Sequence, residues 1–328
     1  MRRFTLLALA GLVVLAFATG LVAQGLGTGW SRVATVAHGL VGLSFLLLVP
    51  WKSPMVRSGL RRRRKGAVWS IALLVGIVAT IASGLLQMTG TVRTLGPLTT
   101  MQVHIGAASA SVGLAVSHYL RHPVRPRQAD LARRNVVRLA TLTAGAGVVL
   151  AGWESGVGAL GWPGGERRFT GSHERGSGNP AAMPVTQWFT DSVPRLDRME
   201  VTVADRFLGP EDLATLPMET LEATLDCTSG WYSTQQWKGV RLDRLLGDVA
   251  GASIEVRSVT GYGRRFPAED ADRMWLAFEV GGAPLSAGHG FPARIVAPGR
   301  RGFWWVKWVE SVRPSDVPAW FQVPFPLS

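Results

Sequence analysis

At 328 residues the chain has room for two domains, and its one cysteine excludes an intramolecular disulfide framework. The net charge of +13 is unevenly placed: residues 1–153 hold 17 Lys or Arg and one acid, Asp130, whereas residues 154–328 hold 18 basic and 21 acidic residues. Because these basic residues alternate with long apolar runs, the first half reads as a membrane protein, and nucleic acid is excluded as its partner.

Five apolar runs approach the roughly 20 residues that a bilayer crossing needs. They cover residues 4–23, 33–51, 67–88, 98–120 and 136–153. The first reads as a retained span, because Ala23-Gln24-Gly25 makes a weak signal-peptide cleavage site. Arg2 and Arg3, residues 52–65 and residues 121–138 place 15 Lys or Arg on one side, against Arg32 and Arg93 on the other. Cytoplasmic loops retain such charges, so the N-terminus is expected inside and the second half outside the cytoplasmic membrane.

His38 and His104 fall near the outer ends of the second and fourth expected spans, at one depth. Two imidazoles so placed can ligate a haem iron from opposite faces, an arrangement that resembles the four-helix b-type membrane cytochromes and implies haem b. The alternative is that both rings hydrogen-bond to neighbouring helices. His118 lies about 21 Å further along the same helix, with no histidine opposite it near Lys52, and His122 shares its helix end. Before the fifth run, Ala132-Arg133-Arg134-Asn135-Val136-Val137-Arg138 resembles a twin-arginine export signal, although the same charges also suit an inside loop.

Residues 154–184 are rich in Gly, Pro, Ser and Arg and read as a linker. Beyond them, strands are expected at 199–203, 222–226, 253–259, 275–280, 293–297 and 304–313, with helices at 212–216 and 242–249. The fold class is therefore multi-domain: an all-α transmembrane bundle of five helices (1–153), a linker (154–184) and an α+β domain (185–328).

The lone cysteine sits in Cys227-Thr228-Ser229-Gly230-Trp231, followed by Trp237-Lys238-Gly239-Val240-Arg241-Leu242. Later come His289-Gly290-Phe291-Pro292-Ala293-Arg294-Ile295-Val296-Ala297-Pro298 and Gly302-Phe303-Trp304-Trp305-Val306-Lys307-Trp308-Val309. Together these blocks resemble the sulfite-oxidase-like molybdopterin oxidoreductases over roughly residues 167–314. The resemblance implies that Cys227 is the thiolate ligand of molybdenum, a soft donor for such a metal. It implies cofactor contacts from Thr260, from the pair His289 and Arg294, and from a closing phosphate site at Trp305, Val306 and Lys307. An upstream segment with Arg168, Phe169 and Thr170 is expected along the pterin. Arg300 and Arg301 are either further anion contacts or solvated turn residues. The tryptophans Trp231, Trp237, Trp304, Trp305 and Trp308 either wall a pocket or fill the core.

Departures from the family pattern blur the substrate. No Asn-Arg follows the cysteine, Ser229 stands where the methionine-sulfoxide-reductase branch has glutamate, and His289 stands where it has asparagine. With the sequence ending soon after Phe325, the immunoglobulin-like dimerisation domain of sulfite oxidases is not expected here. The expected function is a membrane-bound molybdopterin-dependent oxidoreductase. It would carry out oxygen-atom or two-electron transfer on an extracytoplasmic small molecule or protein sulfoxide, with electrons exchanged through haem b with the quinone pool or a redox partner protein. The alternative is a non-catalytic membrane receptor or binding module on a degenerate pterin fold.

Overall fold

The computed structural model describes residues 2–61, 67–187, 191–249 and 251–325, and falls into two compact units, Met1–His173 and Glu174–Ser328. The first unit is helical: α1 (Arg2–Gly25), α2 (Ser31–Leu47), α3 (Val49–Arg61), α4 (Ala67–Thr89), α5 (Thr100–Arg121) and α6 (Arg133–Ala159). Between α4 and α5 runs a two-residue hairpin, β1 (Thr94–Leu95) against β2 (Leu98–Thr99). A capping box starts α5, with Thr99 Oγ1 accepting from the Gln102 amide at 3.1 Å and Gln102 Oε1 accepting from the Thr99 amide at 2.8 Å. Gly76 lets α4 approach α5, since a Cβ there would lie 2.5 Å from Ser111 Oγ.

Among the described residues, α1, α4 and α6 are long and apolar enough to cross a membrane. The expected second span is divided: α2 and α3 meet at a 42° bend and make a fourth crossing only if taken as one. The expected fourth span forms the 22-residue α5, whose Gln102, His104, Ser109, Ser111, Ser117 and His118 dilute its apolar character. Large apolar side chains such as Val14, Trp69 and Val148 point outward at 67, 54 and 74% exposure, which suits a lipid surround. The basic run at residues 62–65 lies outside the described residues.

Helix α6 continues through Glu154 to Ala159, so the expected linker begins inside a helix. The chain after it packs on the end of α4. Gly164 is pressed against Met88 O, which leaves no room for a Cβ, and Arg167 Nη1 reaches Met88 O at 3.3 Å while its Nη2 pairs with Glu154. Gln87 Nε2 donates to Gly171 O at 3.0 Å, and its own carbonyl lies 2.7 Å from His173 Nε2. Composition signalled a flexible stretch here; the glycines serve close approach to α4 instead.

The division between units falls within a two-residue strand, β3 (His173–Glu174). The second unit then adds β4 (Val201–Val203), β5 (Arg206–Leu208), β6 (Glu219–Cys227), β7 (Trp231–Arg241), the short helix α7 (Leu242–Leu246), β8 (Ser253–Ser258), β9 (Gly263–Pro267), β10 (Trp275–Val280), β11 (Ala283–Pro284), β12 (Arg294–Val296) and β13 (Val309–Ser315). One sheet pairs β6 with β7 and β7 with β10, and the same β10 carries β11 and β12. The other runs β5-β4-β13-β8-β9, with β13 parallel to β4 and the remaining pairs antiparallel. Trp237, Val240, Ile254, Val256, Phe266, Leu276, Ile295, Val309 and Val312, all at 0% exposure, form the core.

Many short strands with few helices match the expected α+β class. Strands β5, β7, β9 and β11 were not expected, and three expected elements differ. Residues 212–214 form only a 3-10 turn, and α7 ends at Leu246 because Gly247 takes a positive φ of 64°. The last strand begins at Val309, not at 304, because Gly302–Trp304 form a 3-10 turn and Trp308 adopts a φ of 54°.

Candidate functional site

Cys227 is the last residue of β6, opposite Trp231 at the start of β7. The three residues between them turn tightly: the Gly230 amide donates to Cys227 O at 3.1 Å, and Gly230 takes the φ of 90° that favours glycine. The long β6–β7 ladder thus presents the thiol at the rim of a sheet, 9% exposed. Its sulfur lies 3.1 Å from Ser229 Oγ. The 300–302 turn packs from the other side, where a Cβ on Gly302 would come within 3.0 Å of Cys227 Cα.

A buried ion pair fixes that turn. Arg301 is 0% exposed, pairs with Asp226 and donates from Nη2 to Cys227 O at 3.3 Å. Arg301 is therefore no solvated turn residue. The signal in the sequence was the carboxylate of Asp226 in an otherwise buried stretch just before the cysteine, since a buried charge needs a partner. Arg300 pairs with Asp270 and lies 4.7 Å over Trp304.

The site is cationic. Arg294, 2% exposed, is held between Trp237 and Trp305, 4.9 and 5.6 Å from their centroids. Its Nη1 donates to His289 O at 3.1 Å and its Nη2 approaches Trp305 O at 3.5 Å, while Nε has no partner among the described residues. Burial lowers its pKa to about 9, opposed by the Cys227 sulfur. Lys307 Nζ donates to Thr186 O at 3.0 Å and to Gly288 O at 3.2 Å, and sits 4.1 Å from the Trp308 ring centroid. Burial and Arg294 lower its pKa to about 7, with Cys227 and Asp191 pulling the other way.

The remaining expected residues divide. His289 has both ring nitrogens engaged, Nδ1 with Ser286 Oγ at 2.9 Å and Nε2 with Met183 O at 3.0 Å, and burial lowers its pKa. Thr260 Oγ1 lies 3.2 Å from Ser258 Oγ and 3.4 Å from Asp191 Oδ2. Trp305 and Val306 are core residues at 2 and 1% exposure. The Trp305 amide already donates to Gly302 O, and Val306 O accepts from Ile295 at 2.8 Å. Of the tryptophans, Trp231, Trp237, Trp305 and Trp308 are buried, and Trp304 is partly exposed. Arg168, Phe169 and Thr170 belong to the first unit, where the Arg168 guanidinium lies 4.7 Å over Phe169 and Thr170 is 5% exposed.

Also in the first unit, His38 and His104 face each other from α2 and α5, with ring centroids 5.8 Å apart at an interplanar angle of 89°. Each engages a helix carbonyl through Nδ1: Ala16 O at 3.0 Å for His38 and Thr80 O at 2.8 Å for His104. Each ring also lies against a glycine, Gly20 or Gly84, where a Cβ would come within 3.1 Å of it. The His118 and His122 rings lie beside each other, with centroids 5.1 Å apart.

Chemically, the second unit offers one thiol near the cations Arg294 and Lys307, neither of which forms a carboxylate ion pair among the described residues as Arg301 does. Among the described residues no group of three or more His, Cys, Asp or Glu is placed to hold a metal, so a metal on Cys227 would bring its other donors with it. A group carrying both a metal and an anionic phosphate fits the thiol, the Arg294 guanidinium and the Lys307 ammonium.

The depressed Lys307 pKa has a stability consequence in protein without bound anion. Unfolded, the ammonium holds its proton up to about 10.5; folded, it loses it near 7. Between these values the unfolded state binds more protons, so this contribution to stability rises with pH and is lost as pH falls through about 7. As pH rises from about 7 to about 10, cofactor-free wild type is expected to gain melting temperature relative to Lys307→Met, which has no group to titrate there. A pH slope identical in the two proteins would refute the assignment.

Residues 193–320 match the family described as oxidoreductase molybdopterin binding domain. The chain is 30% identical over 144 residues to mitochondrial sulfite oxidase of Homo sapiens, covering 38% of this chain and 26% of that protein. It is 36% identical over 101 residues to the nitrate reductase [NAD(P)H] of Hordeum vulgare, covering 25% of this chain and 11% of the other. To the uncharacterized oxidoreductase YuiH of Bacillus subtilis it is 30% identical over 115 residues, covering 32 and 57%. The chain thus spans about a quarter of the length of the sulfite oxidases it matches. Residues 193–320 of the second unit are thus similar to oxidoreductase molybdopterin binding domains, and the chain is similar over part of its length to sulfite oxidases.

Proposed function

We propose that this chain is a membrane-bound, molybdenum-dependent oxidoreductase acting on a substrate outside the cytoplasmic membrane and exchanging electrons through haem b with the quinone pool or a redox partner protein. The observation that carries the reading is the single thiol at the β6 rim, near the buried Arg294 and the partly buried Lys307. Cys227 would hold the molybdenum, and Arg294 with Lys307 would hold the pterin phosphate; Arg168, Phe169, Thr170, Thr260 and His289 remain proposed pterin contacts. When bound, the cofactor supplies oxygen-atom or two-electron transfer. The protein's own part is to fix the sulfur, balance the anion and exclude water with Trp237 and Trp305.

Three apolar helices fit membrane association. The proposed sidedness is supported by Arg3, which pairs with Asp130 at 2.8 Å and so ties the start of α1 to the loop before α6 on one end of the bundle. Export of the second unit by the twin-arginine route rests on Arg133 and Arg134. Changing both to lysine preserves charge and is expected to leave the domain protected from externally added protease in spheroplasts; unchanged proteolysis refutes that route.

The haem reading is supported by the facing histidines. With Nδ1 of each ring on a carbonyl, Nε2 is the nitrogen left to bind iron. His38 and His104, with ring centroids 5.8 Å apart, would hold the iron, and the haem would supply one-electron transfer. The test is metal analysis with a reduced-minus-oxidised spectrum on purified full-length protein. Molybdenum and a b-type band are expected, and either His38→Ala or His104→Ala should abolish the band. Molybdenum without the band would reduce the bundle to an anchor, and absence of molybdenum would favour a binding module.

A further inference from the structure

Resting on the proposed molybdenum site, we infer that Ser229 tunes the metal by donating a hydrogen bond to its proposed protein ligand, the Cys227 sulfur. The two atoms are 3.1 Å apart, and both residues are buried, at 5 and 9% exposure. The turn enforces the contact: Gly230 bonds back to Cys227 O, which folds residue 229 over the end of β6. In a free thiol either atom can be the donor. A thiolate on a metal has no proton, so only the Ser229 hydroxyl can donate.

The consequence is electronic. A hydrogen bond to an ionised acceptor in a water-poor site is stronger than one to a neutral acceptor, and it withdraws density from the sulfur. A less electron-rich sulfur stabilises the reduced metal relative to the oxidised one and raises the reduction potential, as hydrogen bonds to ligand sulfur do in other metal centres. Ser229 touches neither substrate nor metal in this account. It is a positioning residue that acts through Cys227.

The experiment compares full-length wild type, Ser229→Ala and Ser229→Thr for molybdenum content, reduction potential and the sulfur-to-metal charge-transfer band. With metal retained, Ser229→Ala is expected to change the oxidised-to-reduced ratio at fixed ambient potential about tenfold, or about 60 mV lower for a one-electron couple. Its band should move to longer wavelength, and Ser229→Thr, which keeps a hydroxyl, should restore both. Should Ser229→Ala lose the metal while Ser229→Thr keeps it with native potential and band, the hydroxyl is again the cause. Native potential and band in Ser229→Ala would overturn the inference, as would metal loss in both variants. Wild-type protein without molybdenum overturns the functional reading and this one with it, whereas a metal-loaded but unshifted Ser229→Ala overturns the role of Ser229 alone.

Discussion

Replacing Cys227 with serine is expected to strip molybdenum from the full-length protein and to lower oxidoreductase turnover by at least about a hundredfold, the upper range for removing even an outer-shell partner of a metal ligand. The reason is donor chemistry. A serine hydroxyl is hard and stays protonated at neutral pH, whereas a thiolate is a soft, charged ligand. Folding should survive, because the substitution is nearly isosteric and Cys227, although part of the core, stands at the end of β6. A cost of about 1 kcal/mol is typical of such a change. Metal analysis beside a thermal melt separates the two effects. Molybdenum retained at the native level in Cys227→Ser would remove the premise that this sulfur binds metal, whatever became of activity.

What could be read from the chain, and what could not, follows from the range of the forces involved. The division into an apolar, basic half and a mixed half was visible because bilayer and water select on composition over stretches of about 20 residues. Cys227, Arg294 and Lys307 were expected only from the family resemblance, and the structure brings the three within electrostatic reach. Strand β7 was not anticipated although it is the longest of the second unit at 11 residues. Its inward Trp231, Ser233, Gln235 and Trp237 alternate with Tyr232, Thr234 and Gln236, and inward polar residues hide the period of two that marks a strand. Gln235 is buried because its Nε2 donates to Gly176 O at 2.6 Å, a partner about sixty residues away that no local pattern announces. The closing segment failed for the opposite reason. Trp304, Trp305, Val306 and Trp308 have the composition of a strand, but the chain there turns to place Lys307 on Thr186 and Gly288, so tertiary contacts override propensity. The 154–173 stretch, rich in glycine, was read as loose because glycine's conformational freedom and its tolerance of close packing look alike in sequence.

The second large effect is expected at Asp226, which local pattern would place as one more strand residue. Arg301 sits fully buried on that carboxylate and on the carbonyl of Cys227, so Asp226→Ala leaves a guanidinium in the interior without its counter-charge. Removing one member of a buried pair costs about 3–5 kcal/mol, which for a unit of this size lowers the melting temperature by roughly 10 °C. Coulomb attraction alone is a poor guide here, because desolvation of both ions opposes it, and the double variant Asp226→Ala/Arg301→Met should therefore recover most of the loss. Metal retention should not recover with it. The guanidinium also holds the carbonyl of the residue that bears the sulfur, and a packed methionine cannot replace that bond. A double variant that regains stability without regaining molybdenum would show that the ion pair serves the site as well as the fold. If Asp226→Ala melts within about 1 kcal/mol of wild type, the pair is not the structural clamp argued for it.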